Sequence, residues 1–199
     1  MRPAVLTVVI ALLLPVAAMA QPPFGRQLHY EGTKVESGGD VPVAIDVDIG
    51  RLDSDKVTWI VIDEREGARD LGPVHVSLDS SGVIEESARL TFEEETILDM
   101  VALQFEDMDG VAAGDHWNRQ GARGHQTQYR VRDNTGTMVD IEISRNVALR
   151  EGGYGSWQGL LRYNSTIVAP VSIQLSGDVS GTVQFSAKLV GDSFQPNRN

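Results

Sequence analysis

Apolar and polar residues alternate with a period of two along most of this chain, and that period predicts strands. Val41, Val43, Ile45, Val47 and Ile49 alternate with Pro42, Ala44, Asp46 and Asp48, the pattern of a half-buried strand with one wet face. Pro42 lacks an amide donor and belongs near a strand start or on a sheet edge; Gly50 suits a bend where the run stops. In Val57 to Ile62, Trp59 and Val61 share one side while Ile60 and Ile62 fill the other. Two apolar faces predict a central strand, followed by a charged turn over Asp63 to Gly72. Alternation resumes at Val74, Val76 and Leu78, and again at Val83 and Ile84 after the hairpin signal Ser80-Ser81-Gly82. Later runs are Tyr129 with Val131; Val139 with Ile141 and Ile143; Val171 with Ile173 and Leu175; and Val183 with Phe185, Ala187 and Leu189. Asp133-Asn134-Thr135-Gly136 and Ser176-Gly177-Asp178 separate them as turns.

One segment breaks the period. Thr91 to Phe105 carries Ile97, Met100, Val101, Leu103 and Phe105 behind an acidic start, which predicts the one convincing helix. Thr91 can cap its first turn while Glu94 reaches back in a capping box, a device worth about 1 kcal/mol. Glu93, Glu94 and Glu95 complement the positive end of the helix dipole, which accounts for them without a bound cation. Ile97, Val101 and Phe105, four residues apart, form a stripe that should pack on the sheet. The expected class is therefore mostly β (α+β): a curved, largely antiparallel sheet or half-barrel with one helix packed on its apolar face.

The first twenty residues stand apart from this pattern. Arg2, the apolar run Ala4 to Leu14 and the small residues Ala18-Met19-Ala20 read as a secretory signal peptide cleaved after Ala20, of bacterial type, which predicts a periplasmic or secreted protein. Pro15 interrupts the run and no cationic cluster follows it, so a retained membrane anchor is not expected. Residues 21 to 29, with Pro22 and Pro23, read as a flexible leader, residues 30 to 190 as a single β-rich domain and residues 191 to 199 as a flexible tail.

Composition then narrows the partners. Without Arg2, 16 Lys and Arg face 28 Asp and Glu, a net charge of −12 with histidines neutral, so nucleic acid and anionic membrane surfaces are poor partners. The chain has no cysteine, so packing alone must hold an exported fold and no lipidated cysteine is present.

Candidate chemistry is sparse. Gly110 to Gln126 is a glycine-rich stretch read as a loop, holding Asp115, His116, Trp117 and His125, yet the nine-residue histidine separation fits no zinc pattern. Asp107-Met108-Asp109-Gly110 suggests a calcium loop, but aligning Gly110 places Phe105 and His116 at its ends. No Gly-x-Ser-x-Gly is present, and Gly155-Ser156-Trp157 lacks the first glycine. Asp46 and Asp48 share a wet strand face, where solvation explains them. No catalytic residue, cofactor or metal is expected. Trp59 reads as core, whereas Trp117 and Trp157, beside glycine-rich segments, can line a pocket.

The strand, helix and strand order, with Gly114-Asp115-His116-Trp117 after the helix and the late runs Trp157-Gln158-Gly159-Leu160-Leu161-Arg162-Tyr163-Asn164 and Ala169-Pro170-Val171-Ser172-Ile173, resembles the half-barrel of periplasmic Lol-type lipoprotein carriers and related bacterial envelope domains. The resemblance is architectural. It implies a curved sheet around an apolar cavity that holds acyl chains under a helical lid, without catalytic residues; carriers of that type have more than one lid helix, and one is readable here. The expected function is an exported, non-enzymatic binding or carrier module for an apolar or amphipathic ligand held between helix and sheet by Trp59, Ile97, Val101, Phe105, Trp117 and Trp157. The alternative is an envelope protein-interaction module that docks a partner through a sheet edge or its glycine-rich loops.

Overall fold

The computed structural model describes residues 25–52, 57–78, 90–103, 108, 110–120, 126–148, 154–179 and 182–193. The signal segment, Phe105, His125 and the expected hairpin at Ser80 to Ile84 lie outside the described residues. Ten strands and one helix follow in order: β1 (Arg26–Glu36), β2 (Gly39–Leu52), β3 (Val57–Glu66), β4 (Arg69–Leu78), α1 (Phe92–Ala102), β5 (His116–Gln120), β6 (Gln126–Asn134), β7 (Met138–Ala148), β8 (Tyr154–Asn164), β9 (Ala169–Val179) and β10 (Thr182–Asp192). They form one sheet in the order β4-β3-β2-β1-β10-β9-β8-β7-β6-β5, every pair antiparallel. Among the described residues the sheet is open, with β4 and β5 at its edges, and carries a single short helix, as the alternation and its one interruption predict.

The period of two puts one apolar face inward on every strand. Leu28 and Tyr30 of β1 stand beside Val47 and Ile45 of β2, and these beside Ile62 and Glu64 of β3. Across the other half, Val131, Ile141, Leu161, Ile173 and Ala187 continue the face from β6 to β10. The apolar side chains of this face and Ile97, Leu98, Met100, Val101 and Ala102 of α1 make one continuous core. Gly32, Gly159 and Gly177 mark close approaches of neighbouring strands, Gly32 with a Cβ position 1.9 Å from the Ser186 carbonyl oxygen. A Cβ on Gly159 would lie 1.8 Å from the Gln174 carbonyl oxygen, and one on Gly177 2.1 Å from that of Ser156. Only glycine permits so close an approach of neighbouring strands.

The helix begins as expected. The Thr91 side chain accepts from the Glu94 amide at 3.0 Å, and the Glu94 carboxylate accepts from the Thr91 amide at 2.8 Å. Its surroundings differ from the expectation. Glu93, Glu94, Glu95, Thr96 and Asp99 are buried alongside Ile97, Leu98, Met100 and Val101, so α1 has no wet face among the described side chains. Among the described residues no helix is long and apolar enough to cross a membrane.

Five further expectations are corrected. Arg26 to His29, assigned to the leader, belong to β1, because Leu28 is buried and Arg26 clasps Asp192 of β10 with two hydrogen bonds of 3.1 and 2.6 Å. That clasp also keeps Gly191 and Asp192 in β10 rather than in a tail. The turn expected over Asp63 to Gly72 is only Gly67-Ala68, with Gly67 at φ +58°, and the flanking charged residues are strand. β3 is second from an edge rather than central, and Trp59 lies half-buried on its outer face over Gly50, where a Cβ would sit 2.3 Å from the indole. Finally, the stretch from Gly110 to Gln126 contains β5, paired in full with β6.

Candidate functional site

Two features of this fold can do chemistry, one on each face of the sheet. The first is an open groove of about 1200 Å³ on the outer face, running across β5 to β10 and reaching β1. Strand register explains its lining. Asn118, Gln128, Ser144, Gln158, Ser176 and Gln184 are successive cross-strand partners, ending at Val35. A second row, two residues along each strand, runs His116, Arg130, Glu142, Leu160, Gln174, Ser186 and Thr33. Between them lies a row whose side chains turn to the core, including Tyr129, Ile143, Leu175 and Phe185, so its backbone forms the floor. Six strands at about 4.8 Å make each polar row roughly 24 Å long. In a strongly acidic chain, this surface presents amides and hydroxyls, with Arg130 and Arg132 against Glu142. It can hydrogen-bond a polar group while Leu160 and Val35 offer apolar contact.

The second feature is a buried carboxylate cluster where the helix N-terminus meets the inner face of β1 and β3. Glu64, Glu66 and Glu93 bring carboxylate oxygens within 4.8 Å of one another. Glu64 is wholly buried; one of its oxygens accepts from the Thr91 hydroxyl at 2.6 Å, and the other, like Glu93 Oε1, has no hydrogen-bond partner. Lys34 Nζ donates to Glu66 and lies 2.8 Å from Glu36. Burial, reinforced by Glu93, Glu94 and Glu66 and opposed by the Thr91 hydroxyl, pushes the Glu64 carboxyl up to about 8. Burial also raises Glu93 and Glu94, against backbone hydrogen bonds to each. Burial alone would lower Lys34, but its bonds to Glu36 and Glu66 hold it above the usual lysine range.

The residues singled out from sequence are scattered by the fold. Ile97, Val101 and Trp157 are fully buried in the core, and neither the groove nor the smaller cavity beside His29 and Asp46 borders them. Trp59 faces outward beyond the groove, and Trp117 is half-buried, stacked on Tyr129 with ring centroids 5.3 Å apart and planes at 14°. Of the five that are described, Trp117 alone borders the groove, in the row whose side chains turn to the core. Asp115 serves its turn, accepting from the Ala112 amide at 2.7 Å.

Both features escaped the reading of apolar positions. The groove rows are the polar half of the same alternation, visible in Gln126, Gln128, Arg130 and Arg132, but joining them across strands needs the register. Continuing the run Ile60, Ile62 by two more steps reaches Glu64 and Glu66, a signal obscured by assigning those residues to a turn. Compared with known proteins, the chain matches no family model and no curated protein.

Proposed function

We propose that this protein is an exported, non-enzymatic binding module of the bacterial envelope, and that an amphipathic ligand lies in the outer-face groove across β5 to β10. The observation that carries the reading is the pair of polar rows, which leaves a long, nearly uncharged hydrogen-bonding surface on an acidic chain. A groove with a few apolar contacts among polar anchors suits a ligand with both characters. The likeness to Lol-type half-barrels belongs to the same proposal and is supported by the open antiparallel sheet with one helix on its inner face. Full burial of Ile97 and Val101 favours the outer groove over a seat between helix and sheet.

Mass spectrometry of extracts from natively purified mature protein tests this reading. A stoichiometric amphiphile is expected, and Gln158→Trp, which fills the groove, should remove it without unfolding the protein. A clean extract, together with unchanged tryptophan emission when lysophospholipid micelles are added, would sink the proposal. The interaction-module alternative draws on the two open sheet edges. It ranks second because β5 is five residues long and β4 is interrupted by Pro73 and a register shift, features that discourage strand addition.

A further inference from the structure

The carboxylate cluster carries more negative charge than its described neighbours offset. Glu36, Glu66 and Glu93 gather around Lys34, Glu64 and Glu94 adjoin Glu66 and Glu93, and the one other cation paired there among the described residues is Arg69, 4.0 Å from Glu66 and largely exposed. Helix capping occupies Thr91 and Glu94 and accounts for neither Glu93 nor Glu64. An unpartnered carboxylate oxygen in a buried site is unfavourable unless something else meets it. Here two such oxygens, on Glu64 and Glu93, belong to side chains whose residues are 0% and 4% exposed.

We infer that Glu64, Glu66 and Glu93 bind a calcium-sized divalent cation between β3 and the N-terminus of α1. Hard cations take oxygen ligands, and a Ca²⁺ coordination sphere with bonds of about 2.4 Å spans about 4.8 Å between opposite ligands. The cluster lies within that span. Three carboxylates from two rigid elements supply the charge, and Lys34 balances Glu66 and Glu36 beside the ion. Entry runs past Glu66 and Glu36, whose side chains are 14% and 40% exposed, the route by which water and ions can reach an otherwise covered site. The ion would tie the helix to the sheet, a structural role independent of what the groove binds.

Calcium titration of EDTA-stripped, full-length mature protein by calorimetry, with melting followed in parallel, decides the matter. One ion per chain is expected, with Kd about 0.1–1 mM as in extracellular modules, and with a raised Tm. Glu64→Gln and Glu93→Gln, which keep side-chain shape, should each weaken binding at least about tenfold, whereas Glu142→Gln in the groove should not. Each variant is checked for a cooperative melt. No binding heat and no rise in Tm for the folded wild type up to about 10 mM Ca²⁺ would overturn the inference. Equal binding by all three variants would overturn it as well, since the ion would then sit elsewhere on an acidic surface.

Discussion

Two groups of buried carboxylates flank the same helix, and they are treated in opposite ways. On one side, Arg145 of β7 lies 3.0 Å from Glu95 and 3.6 Å from Asp99, while the Thr127 hydroxyl donates to Asp99 at 3.1 Å. On the other, Glu64, Glu66 and Glu93 gather around one lysine, with Glu64 pushed to about 8 by burial. All but Glu66 are nearly or wholly inaccessible, so burial alone does not distinguish the groups. The supply of cations does. Where one guanidinium faces two carboxylates, the charges tie β7 to α1; where three carboxylates share one lysine, the excess is larger, and a proton or an added ion can offset it.

The largest effect is expected from breaking the better-balanced side. Arg145→Met leaves Glu95 and Asp99 buried without their guanidinium and should destabilise the fold by about 3–5 kcal/mol, a fall in Tm on the order of 10 °C measured by circular dichroism at neutral pH. A fall of less than about 2 °C would mean that this pair is not what secures the helix.

The opposite sign is expected on the unbalanced side. The folded pKa of Glu64 lies above its ordinary value, so its contribution to stability is complete below the ordinary carboxylate pKa and is lost as pH rises through about 8. In EDTA, wild-type Tm should therefore decline between pH ~5 and ~9, and Glu64→Gln should flatten the decline, melting about 5 °C higher at the alkaline end. Parallel curves for the two proteins would show that burial and the facing carboxylates of Glu93, Glu94 and Glu66, working against the Thr91 hydroxyl, do not hold it protonated. Thr91→Ala removes the helix cap and the hydroxyl bound to Glu64 together, for a loss of about 1–2 kcal/mol and about 3 °C in the same assay. At the outer surface, Gln158→Ala should change stability by no more than about 0.5 kcal/mol, and a larger change in denaturant titration would show that the groove row supports the fold.

The apolar half of the sequence pattern was the legible half. Val43, Ile45 and Val47, and likewise Ile141, Ile143 and Leu161, occupy the inner face because a period of two has only one way to bury a greasy side. The capping box at Thr91 and Glu94 was readable because it is local, three residues wide. What sequence could not convey is pairing between distant strands. Ser144 and Gln158 become neighbours only through the β7–β8 register, and Glu93 meets Glu64 only because α1 folds back over β3. The burial of the acidic first turn was hidden for a related reason. Helix electrostatics explain why glutamates stand there, but whether they meet water depends on how far the sheet wraps around the helix. Trp157 shows the same limit, since Gly152 and Gly153 nearby suggested a rim position and the strand carries the indole into the core.

The β1–β10 pairing has a kinetic consequence. Every other ladder in the sheet joins strands that are consecutive in the chain, so hairpins can zip locally as the polypeptide emerges. The first and last strands must instead find each other across the whole domain, at the middle of the sheet. Until β10 arrives, the halves β1–β4 and β5–β9 each expose an unfinished ladder at the seam, and a truncation that removes β10 should yield a chain that self-associates rather than one that merely frays. Arg26, gripping Asp192 from the first strand, is the latch on that long-range pairing.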